Sequence, residues 1–108
     1  MLAIARAVKL ARTKSRHKCH KHAAIIFNKN QIIATGYNHE ARHAEHDALS
    51  SAFVAQTKGA SILVIRLRRD GRLGLSRPCE DCRELLQYAG LRWLHYTDAK
   101  GDIVKERV

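Results

Sequence analysis

The chain has 108 residues, a length that suits one domain with a single hydrophobic core. Hydrophobic residues make up 45% of the sequence and charged residues 28%, a balance typical of a folded globular protein and not of a disordered chain. The longest apolar run covers residues 23–27, whereas a transmembrane helix needs about 18 apolar residues, so we expect no membrane partner.

Basic side chains are concentrated in two parts of the sequence. Lys and Arg total 20 against 10 acidic residues, which gives a net charge of +10. Residues 1–39 contain basic side chains and no Asp or Glu. The second concentration, called here the arginine cluster, consists of Arg66, Arg68, Arg69, Arg72 and Arg77. Two patches of one sign favour a polyanionic partner or an anionic small substrate; the alternative is that the charge only maintains solubility.

The cysteines and the N-terminal segment bear on the cellular compartment. An odd number of cysteines without a secretory signal argues against a disulfide framework, and a Cys-x-x-Cys pair in a reducing compartment is more often a metal or redox site. Residues 1–16 are basic and free of acids, as in an organellar transit peptide, but they also fit an amphipathic first helix, which we favour. We therefore expect a cytoplasmic protein.

The first half of the chain is predicted to contain a helix over 2–18, strands over 23–27 and 31–36, and a helix over 44–56. Ile4, Val8 and Ala11 recur at helical spacing, with Leu10 beside them, and basic residues fill the other faces of the first helix. The two β-branched runs flank Asn28-Lys29-Asn30, which indicates a hairpin.

The second half is predicted to contain a strand over 61–67, a helix over 79–89, and strands over 91–97 and 103–107. Only residues 98–102 connect the last two strands, so these strands are expected to be antiparallel. The order α-β-β-α-β-α-β-β predicts an α/β fold, a three-layer α/β/α sandwich with a mixed sheet of about five strands, in one domain over residues 1–108.

Two short motifs carry the candidate chemistry, and both lie at the start of a predicted helix: His43-Ala44-Glu45 and Pro78-Cys79-Glu80-Asp81-Cys82. Cysteines at i and i+3 in a first helical turn place both sulfurs on one side, and the positive helix N-terminus favours the thiolate. With His43 they form a Cys2His set of three zinc ligands, which leaves the fourth tetrahedral position for water, as in catalytic sites.

Glu45 lies two residues after His43, close to such a metal without being one of its ligands. A water on zinc loses a proton near neutral pH, and an adjacent carboxylate can carry that proton to a substrate and then to a leaving amine. Glu45 is therefore the candidate catalytic residue.

The paired motifs resemble the His-x-Glu and Pro-Cys-x-x-Cys signature of zinc-dependent nucleobase deaminases. Over most of its length the chain is similar to the cytidine and deoxycytidylate deaminase superfamily, which includes tRNA adenosine deaminases and polynucleotide cytosine deaminases. Ala23-Ala24-Ile25-Ile26 resembles the family's first strand beside the pocket, Gly36-Tyr37-Asn38 the end of its second strand, and Tyr96-Thr97-Asp98 its substrate-reading loop.

The resemblance implies roles for four substrate-binding residues. Asn38 would contact the sugar, Ala44 would pack beside the nucleobase, His22 would touch the substrate at the mouth of the pocket, and Tyr96 would stack on it. For Asn38 the alternative is a simple turn asparagine, and for Tyr96 it is packing at the rim. His46, Tyr88, Trp93 and His95 are assigned no role beyond the helix surface or packing.

A rival interpretation concerns residues 16–22, which include Cys19 and three histidines. Cys19 and a histidine could join Cys79 and Cys82 in a structural Cys3His zinc module that binds nucleic acid without catalysis. This interpretation leaves the His43-Ala44-Glu45 motif without a role, so we favour the deaminase.

The substrate is less clearly indicated than the reaction. By the resemblance, the loops around 12–22 and 68–78 approach the pocket, and both are basic. Relatives acting on deoxycytidylate, tRNA and polynucleotides have parallel last strands, whereas free-cytidine and several toxin-type deaminases have antiparallel ones; a histidine as the first ligand departs from the free-cytidine pattern. We predict conversion of cytosine to uracil in a nucleotide or in single-stranded nucleic acid bound through the basic patches, with adenine or tRNA-type deamination as the alternative and homo-oligomers allowed.

Overall fold

The computed structural model describes residues 2–15, 21–38, 43–52 and 54–108. The helices are α1 (Leu2–Lys14), α2 (Ala44–Ser51), α3 (Val54–Thr57) and α4 (Glu80–Tyr88). The strands are β1 (Lys21–Asn28), β2 (Gln31–Tyr37), β3 (Ser61–Leu67), β4 (Leu73–Gly74), β5 (Trp93–Thr97) and β6 (Ile103–Arg107). None of the described helices is long and apolar enough to cross a membrane.

The strands form one mixed sheet in the order β2-β1-β3-β5-β6, and the short β4 pairs with the end of β3. β3 and β5 are parallel, while β1 is antiparallel to both of its neighbours. β5 and β6 are antiparallel, which confirms the prediction from their short link. In that link, the Asp98 carboxylate accepts hydrogen bonds from the backbone N–H groups of Lys100 and Asp102, and Gly101 has a φ of 85°. The sixth strand, β4, was not expected.

Helices cover both faces of the sheet, which confirms the three-layer α/β/α architecture. In β1, Ala23 and Ile25 face α1, whereas Ala24 and Ile26 face the side that holds α2 and α4. The residues of α1 nearest the sheet are Ala3, Ala7 and Ala11, and the expected Ile4, Val8 and Leu10 pack around them half-buried. Small side chains face the sheet because the helix lies close to it.

Several predicted boundaries were wrong. The first helix ends at Lys14 and not at residue 18, and the Ser15 hydroxyl, beyond its end, donates to Asn38 Oδ1 at 2.5 Å. The predicted helix over 44–56 is divided, because Ala52 adopts an extended backbone with φ −99° and ψ 149° between α2 and α3. The hairpin is as predicted, with Lys29 in the left-handed region at φ 56°. The last helix and the strand after it are shorter at their ends than expected.

Candidate active site

The N-termini of α2 and α4 lie side by side on one face of the sheet. His43 is the residue immediately before α2, with an extended backbone at φ −73° and ψ 154°. Cys79 occupies the same position before α4, at φ −70° and ψ 168°, and follows the buried Pro78. Cys82 lies in the first turn of α4 and is buried. The sequence therefore brings the three candidate ligands together through two helix starts.

The three donor atoms lie within 4.8 Å of one another. His43 Nδ1 is 3.2 Å from Cys82 Sγ and 4.0 Å from Cys79 Sγ. Four-coordinate zinc with ordinary bond lengths places an imidazole nitrogen and a thiolate sulfur about 3.5 Å apart. The two observed separations bracket that value, and two thiols with one imidazole are a donor set that zinc prefers. The residues therefore fit a zinc ion.

Glu45 lies in the first turn of α2, directed into the protein, and the residue is 5% exposed. Burial raises the pKa of its carboxyl above the ordinary value. The backbone N–H of Glu45, the nearby His43 and a hydrogen bond with Cys82 oppose that rise in pKa. Burial favours the protonated carboxyl, whereas the other contacts favour the carboxylate. Glu45, next to the candidate metal ligands, can therefore both accept and donate a proton.

The pKa of the Cys82 thiol is also raised when no metal is bound, first by burial and then by the neighbouring Glu45 and Cys79. A coordinated cation reverses this influence, because it binds the thiolate and deprotonates the group. A divalent cation bound here would likewise favour the charged form of the neighbouring Glu45 carboxyl.

A buried serine fixes the segment that leads into Cys79. The Ser76 hydroxyl donates to the Val64 carbonyl at 2.8 Å and accepts from the Thr97 backbone N–H at 2.8 Å. The Ser76 backbone N–H donates to the Thr97 carbonyl at 2.9 Å. These bonds attach the segment to both β3 and β5. Sequence reasoning missed Ser76, since a serine two residues before a proline carries no signal of such long-range contacts.

A glycine in β2 sets the position of α2. A Cβ on Gly36 would lie 2.2 Å from the Ala48 backbone nitrogen and 2.5 Å from the Ala44 carbonyl oxygen. The Tyr37 backbone N–H also donates to the Asp47 carboxylate at 3.1 Å. The helix carrying His43 and Glu45 therefore lies directly against the end of β2. A glycine inside a strand signals such a close approach, so this feature was detectable.

The structure brings Asn38 and His22 together at the ends of β2 and β1. Asn38 Oδ1 accepts from the His22 backbone N–H at 2.9 Å, and the Asn38 backbone N–H donates to the His22 carbonyl at 3.2 Å. Asn38 Oδ1 also accepts the Ser15 hydroxyl, so this asparagine joins α1 to the hairpin. His22 is half-buried.

Ala44 and Tyr96, the other two predicted substrate residues, lie on the face of the sheet that carries α2 and α4. Ala44 is fully buried at the start of α2, in the core that this helix forms with the sheet. Tyr96 belongs to that core, and its hydroxyl donates to Glu106 Oε2 at 3.2 Å. This environment is typical of packing. The rival zinc ligand Cys19 and the histidines at 17 and 20 lie outside the described residues.

These features define a zinc-binding α/β/α deaminase domain, and sequence comparison identifies its family. The chain belongs to the cytidine and deoxycytidylate deaminase family, whose zinc-binding region matches residues 2–97. That match confirms the resemblance inferred from the motifs. Comparison with curated protein sequences gives no significant match.

Solved structures of deaminases share the fold. RibD from Acinetobacter baumannii superposes with a TM-score of 0.67 at 23% identity, over 90% of this chain and 27% of that one. The diaminohydroxyphosphoribosylaminopyrimidine deaminase/5-amino-6-(5-phosphoribosylamino)uracil reductase of Thermotoga maritima gives 0.65 at 22% identity, over 88% of this chain and 28% of that one. This chain thus spans about a quarter of the length of those proteins.

A dCMP deaminase of similar length to this chain has the same fold. The enzyme from cyanophage S-TIM5, in its apo form, superposes with a TM-score of 0.62 at 21% identity, over 91% of this chain and 84% of that one. The same enzyme in complex with dCMP and dUMP gives a TM-score of 0.57. A domain of this size therefore occurs as most of a deaminase chain.

Proposed function

We propose that the chain is a zinc-dependent hydrolase that converts cytosine to uracil in a nucleotide of the dCMP kind or in single-stranded nucleic acid. The observation that carries this proposal is the buried Glu45 carboxyl beside the donor set of His43, Cys79 and Cys82. Three protein ligands leave one zinc position for water, whereas structural zinc sites have four. Reducing conditions keep Cys79 and Cys82 as thiols, so we propose the cytoplasm as the compartment.

Glu45 performs the proton transfers of this reaction. Zinc, when bound, supplies a Lewis acid that lowers the pKa of a water molecule toward about 7. Glu45 accepts a proton as the water oxygen bonds to the carbon that bears the amino group, and it delivers that proton to the adjacent ring nitrogen. Glu45 then takes the remaining proton of the added hydroxyl group and gives it to the amino group, so that the C–N bond breaks, ammonia leaves and the hydroxyl oxygen becomes the carbonyl of uracil. The raised pKa of Glu45 suits a group that accepts and donates in one cycle.

The surrounding residues support binding of a nucleobase with its sugar. Ala44 presents a small side chain between the ligand His43 and the acid Glu45, where we propose that the base packs. Asn38 and His22 are hydrogen-bonded to each other beside α2. We propose that Asn38 contacts the sugar and that His22 touches the substrate at the mouth of the pocket. Tyr96 stays a proposed contact, although its buried position supports packing more than stacking on a base.

Two further observations support a phosphate-bearing substrate. The net charge of +10 and the arginine cluster favour anionic ligands. The cyanophage deaminase with this fold binds dCMP and dUMP, and it is nearly the same length as this chain. β5 and β6 are antiparallel, whereas the resemblance associates parallel last strands with deoxycytidylate and tRNA enzymes. The assay therefore includes both nucleotide and polynucleotide substrates.

The proposal is tested by incubating the zinc-loaded protein with dCMP, deoxycytidine, a cytosine-bearing DNA oligomer and an RNA hairpin that contains cytosine and adenine. Mass spectrometry then measures uracil and inosine. We expect uracil, and we expect Glu45→Gln to retain zinc while its rate falls by about 10² to 10⁴. Glu84→Gln, a change of the same kind at an exposed position of α4, is the matched control. Full activity of Glu45→Gln, or no product from any substrate, would contradict the proposal.

A further inference from the structure

Arg66 leaves the sheet on the face that carries the candidate active site. Ile62 and Val64 of β3 belong to the core formed with α2 and α4, and Arg66 follows at the next position of the same alternation. Its neighbours across the sheet are His22 in β1 and Gly74 in β4. Arg66 therefore lies beside His22, at the end of β3 nearest the segment that leads to Cys79.

Among the residues that the structure describes, no carboxylate pairs with the guanidinium of Arg66. Its Nε is buried and has no hydrogen-bond partner within the described parts of the chain. The ion pairs found among the described residues join other arginines to carboxylates: Arg68 to Asp70, and Arg77 and Arg83 to Glu106. Burial removes water from the Arg66 guanidinium, and no described residue replaces the hydrogen bond that its Nε–H group loses. An anion that accepts this hydrogen bond would therefore be favoured here.

A cavity of about 290 Å³ opens at this position, lined by Arg66, Arg68, Arg69 and Asp70. Gly74 makes the space available, since a Cβ there would lie 2.9 Å from Arg68 Cγ and 3.9 Å from Arg66 Cδ. The absence of a side chain at Gly74 thus lets the two arginines lie together over β4. The volume is ample for a phosphate group with associated water.

The cavity keeps a net positive charge despite its aspartate. Asp70 pairs with Arg68 at 3.4 Å, and its carboxylate also accepts the Arg72 backbone N–H at 3.0 Å. These contacts stabilise the turn, and the ion pair with Arg68 neutralises the negative charge of Asp70. Arg66 and Arg69 have no carboxylate partner among the described residues, so three arginines against one aspartate leave two positive charges for a ligand.

We propose that Arg66, with Arg68 and Arg69 beside it, binds the phosphate of the substrate and selects phosphate-bearing cytosine over the free nucleoside. This inference rests on the proposed function, because it assigns the cavity to the substrate of that site. The guanidinium offers paired N–H donors that match phosphate oxygens. The same chemistry would serve a nucleotide monophosphate or a phosphodiester of a strand, and the ligands of the test distinguish these two sources.

The test measures binding by calorimetry, with zinc-loaded full-length protein and the product-like ligands dUMP, deoxyuridine and a DNA oligomer containing one deoxyuridine. We expect dUMP or the oligomer to bind more tightly than deoxyuridine. Arg66→Gln should weaken the phosphate-bearing ligand by about tenfold or more and leave deoxyuridine unchanged, since a hydrogen bond to a charged group contributes about 1.5–3 kcal/mol. Arg66→Lys, which keeps the charge without the paired donors, should lie between. Arg6→Gln on the exposed side of α1 is the matched control.

Three outcomes would overturn the proposal: equal loss for dUMP and deoxyuridine in Arg66→Gln, no loss for either, or no preference of the wild type for any phosphate-bearing ligand. If Arg66→Gln does not fold, Arg66→Lys gives the same comparison. The readout needs no turnover, so it separates the two proposals. Binding of dUMP through Arg66 without deamination would contradict the proposed deaminase function and support the phosphate site. Deamination that is equally fast for dCMP and deoxycytidine would support the deaminase function and contradict the phosphate site.

Discussion

The hydroxyl oxygens of Ser76 and Thr97 lie 2.7 Å apart in the buried interior, between the end of β5 and the segment that leads to Cys79. The Thr97 hydroxyl also donates to the Gly74 carbonyl, so a single pair of side chains satisfies backbone groups of β3, β4 and β5. The position of Cys79, a candidate zinc ligand, therefore depends on a hydrogen-bond network that contains none of the three candidate ligands.

Ser76→Ala should destabilise the protein by about 1–3 kcal/mol, because the buried Thr97 N–H and the Val64 carbonyl each lose a partner. The variant should also bind zinc more weakly, since the segment before Cys79 is no longer fixed. Thermal denaturation of the metal-free protein and competition with a chromogenic chelator measure the two effects separately. Ser51→Ala, which removes only an exposed hydrogen bond to the Asp47 carbonyl, is the control and should change neither quantity appreciably.

Gly36→Ala should destabilise the protein by at least about 3 kcal/mol, because the added methyl would meet backbone atoms of α2 that cannot rotate away. The helix would move from β2 and carry His43 and Glu45 with it, so zinc affinity should fall as well. Gly59→Ala separates this clash from backbone strain, since Gly59 has a φ of 80° and open space around it. That variant should lose only about 1–2 kcal/mol. Equal losses in the two variants would show that the contact with α2 is not tight.

Removal of zinc distinguishes the deaminase site from the Cys3His module. Metal analysis of purified variants should show loss of zinc in His43→Ala and Cys82→Ser, and a full complement in Cys19→Ser. Chelation should lower the midpoint of thermal unfolding, because a metal that binds only the folded state stabilises it. The opposite pattern, with zinc retained by His43→Ala and lost by Cys19→Ser, would establish the structural module in its place.

His95 should make the stability depend on pH near neutrality. Burial lowers the pKa of His95 below 6.5, and the nearby Lys105 adds to this effect. The folded state thus favours the neutral imidazole, so its contribution is fully present above about pH 6.5 and is lost as the pH falls below that value. Urea unfolding at pH 7.5 and 5.5 should show the decrease, and NMR titration of His95 should give the lowered pKa directly. Lys105→Gln should reduce the shift, and a His95 pKa at or above 6.5 would contradict the prediction.

Local patterns were sufficient to predict that the three candidate metal ligands lie together. The three residues lie at two helix starts, and the sequence marks the start of α4 with Pro78 and with the spacing of the cysteines. The two faces of the sheet follow from the alternation in β1 and β3. The antiparallel β5 and β6 followed from the length of one link. Each of these features is decided within about a dozen residues of chain.

Features that depend on distant segments were not predictable in the same way. The backbone hydrogen bonds that join Ser76 to Thr97 require β4 to turn back against β3, and two residues of strand give no periodic signal. The break at Ala52 arises in a run that is apolar enough to continue a helix. The resemblance predicts that Tyr96 contacts the substrate, and the hydrogen bond of its hydroxyl to Glu106 depends on the register of β5 and β6, which the sequence does not indicate.

The turn between β3 and β4 connects two chain segments that are hydrogen-bonded to each other where the turn begins and ends. The Arg68 backbone N–H donates to the Arg72 carbonyl at 2.8 Å, and Gly71 adopts a φ of 84° between them. Residues 69–72 are exposed, and the Ser76 network fixes the chain again before Cys79. The turn can therefore be exchanged or lengthened as a cassette while the ligands keep their places. A library of variants confined to residues 69–72 would therefore change which substrate is bound while the candidate zinc site stays unchanged.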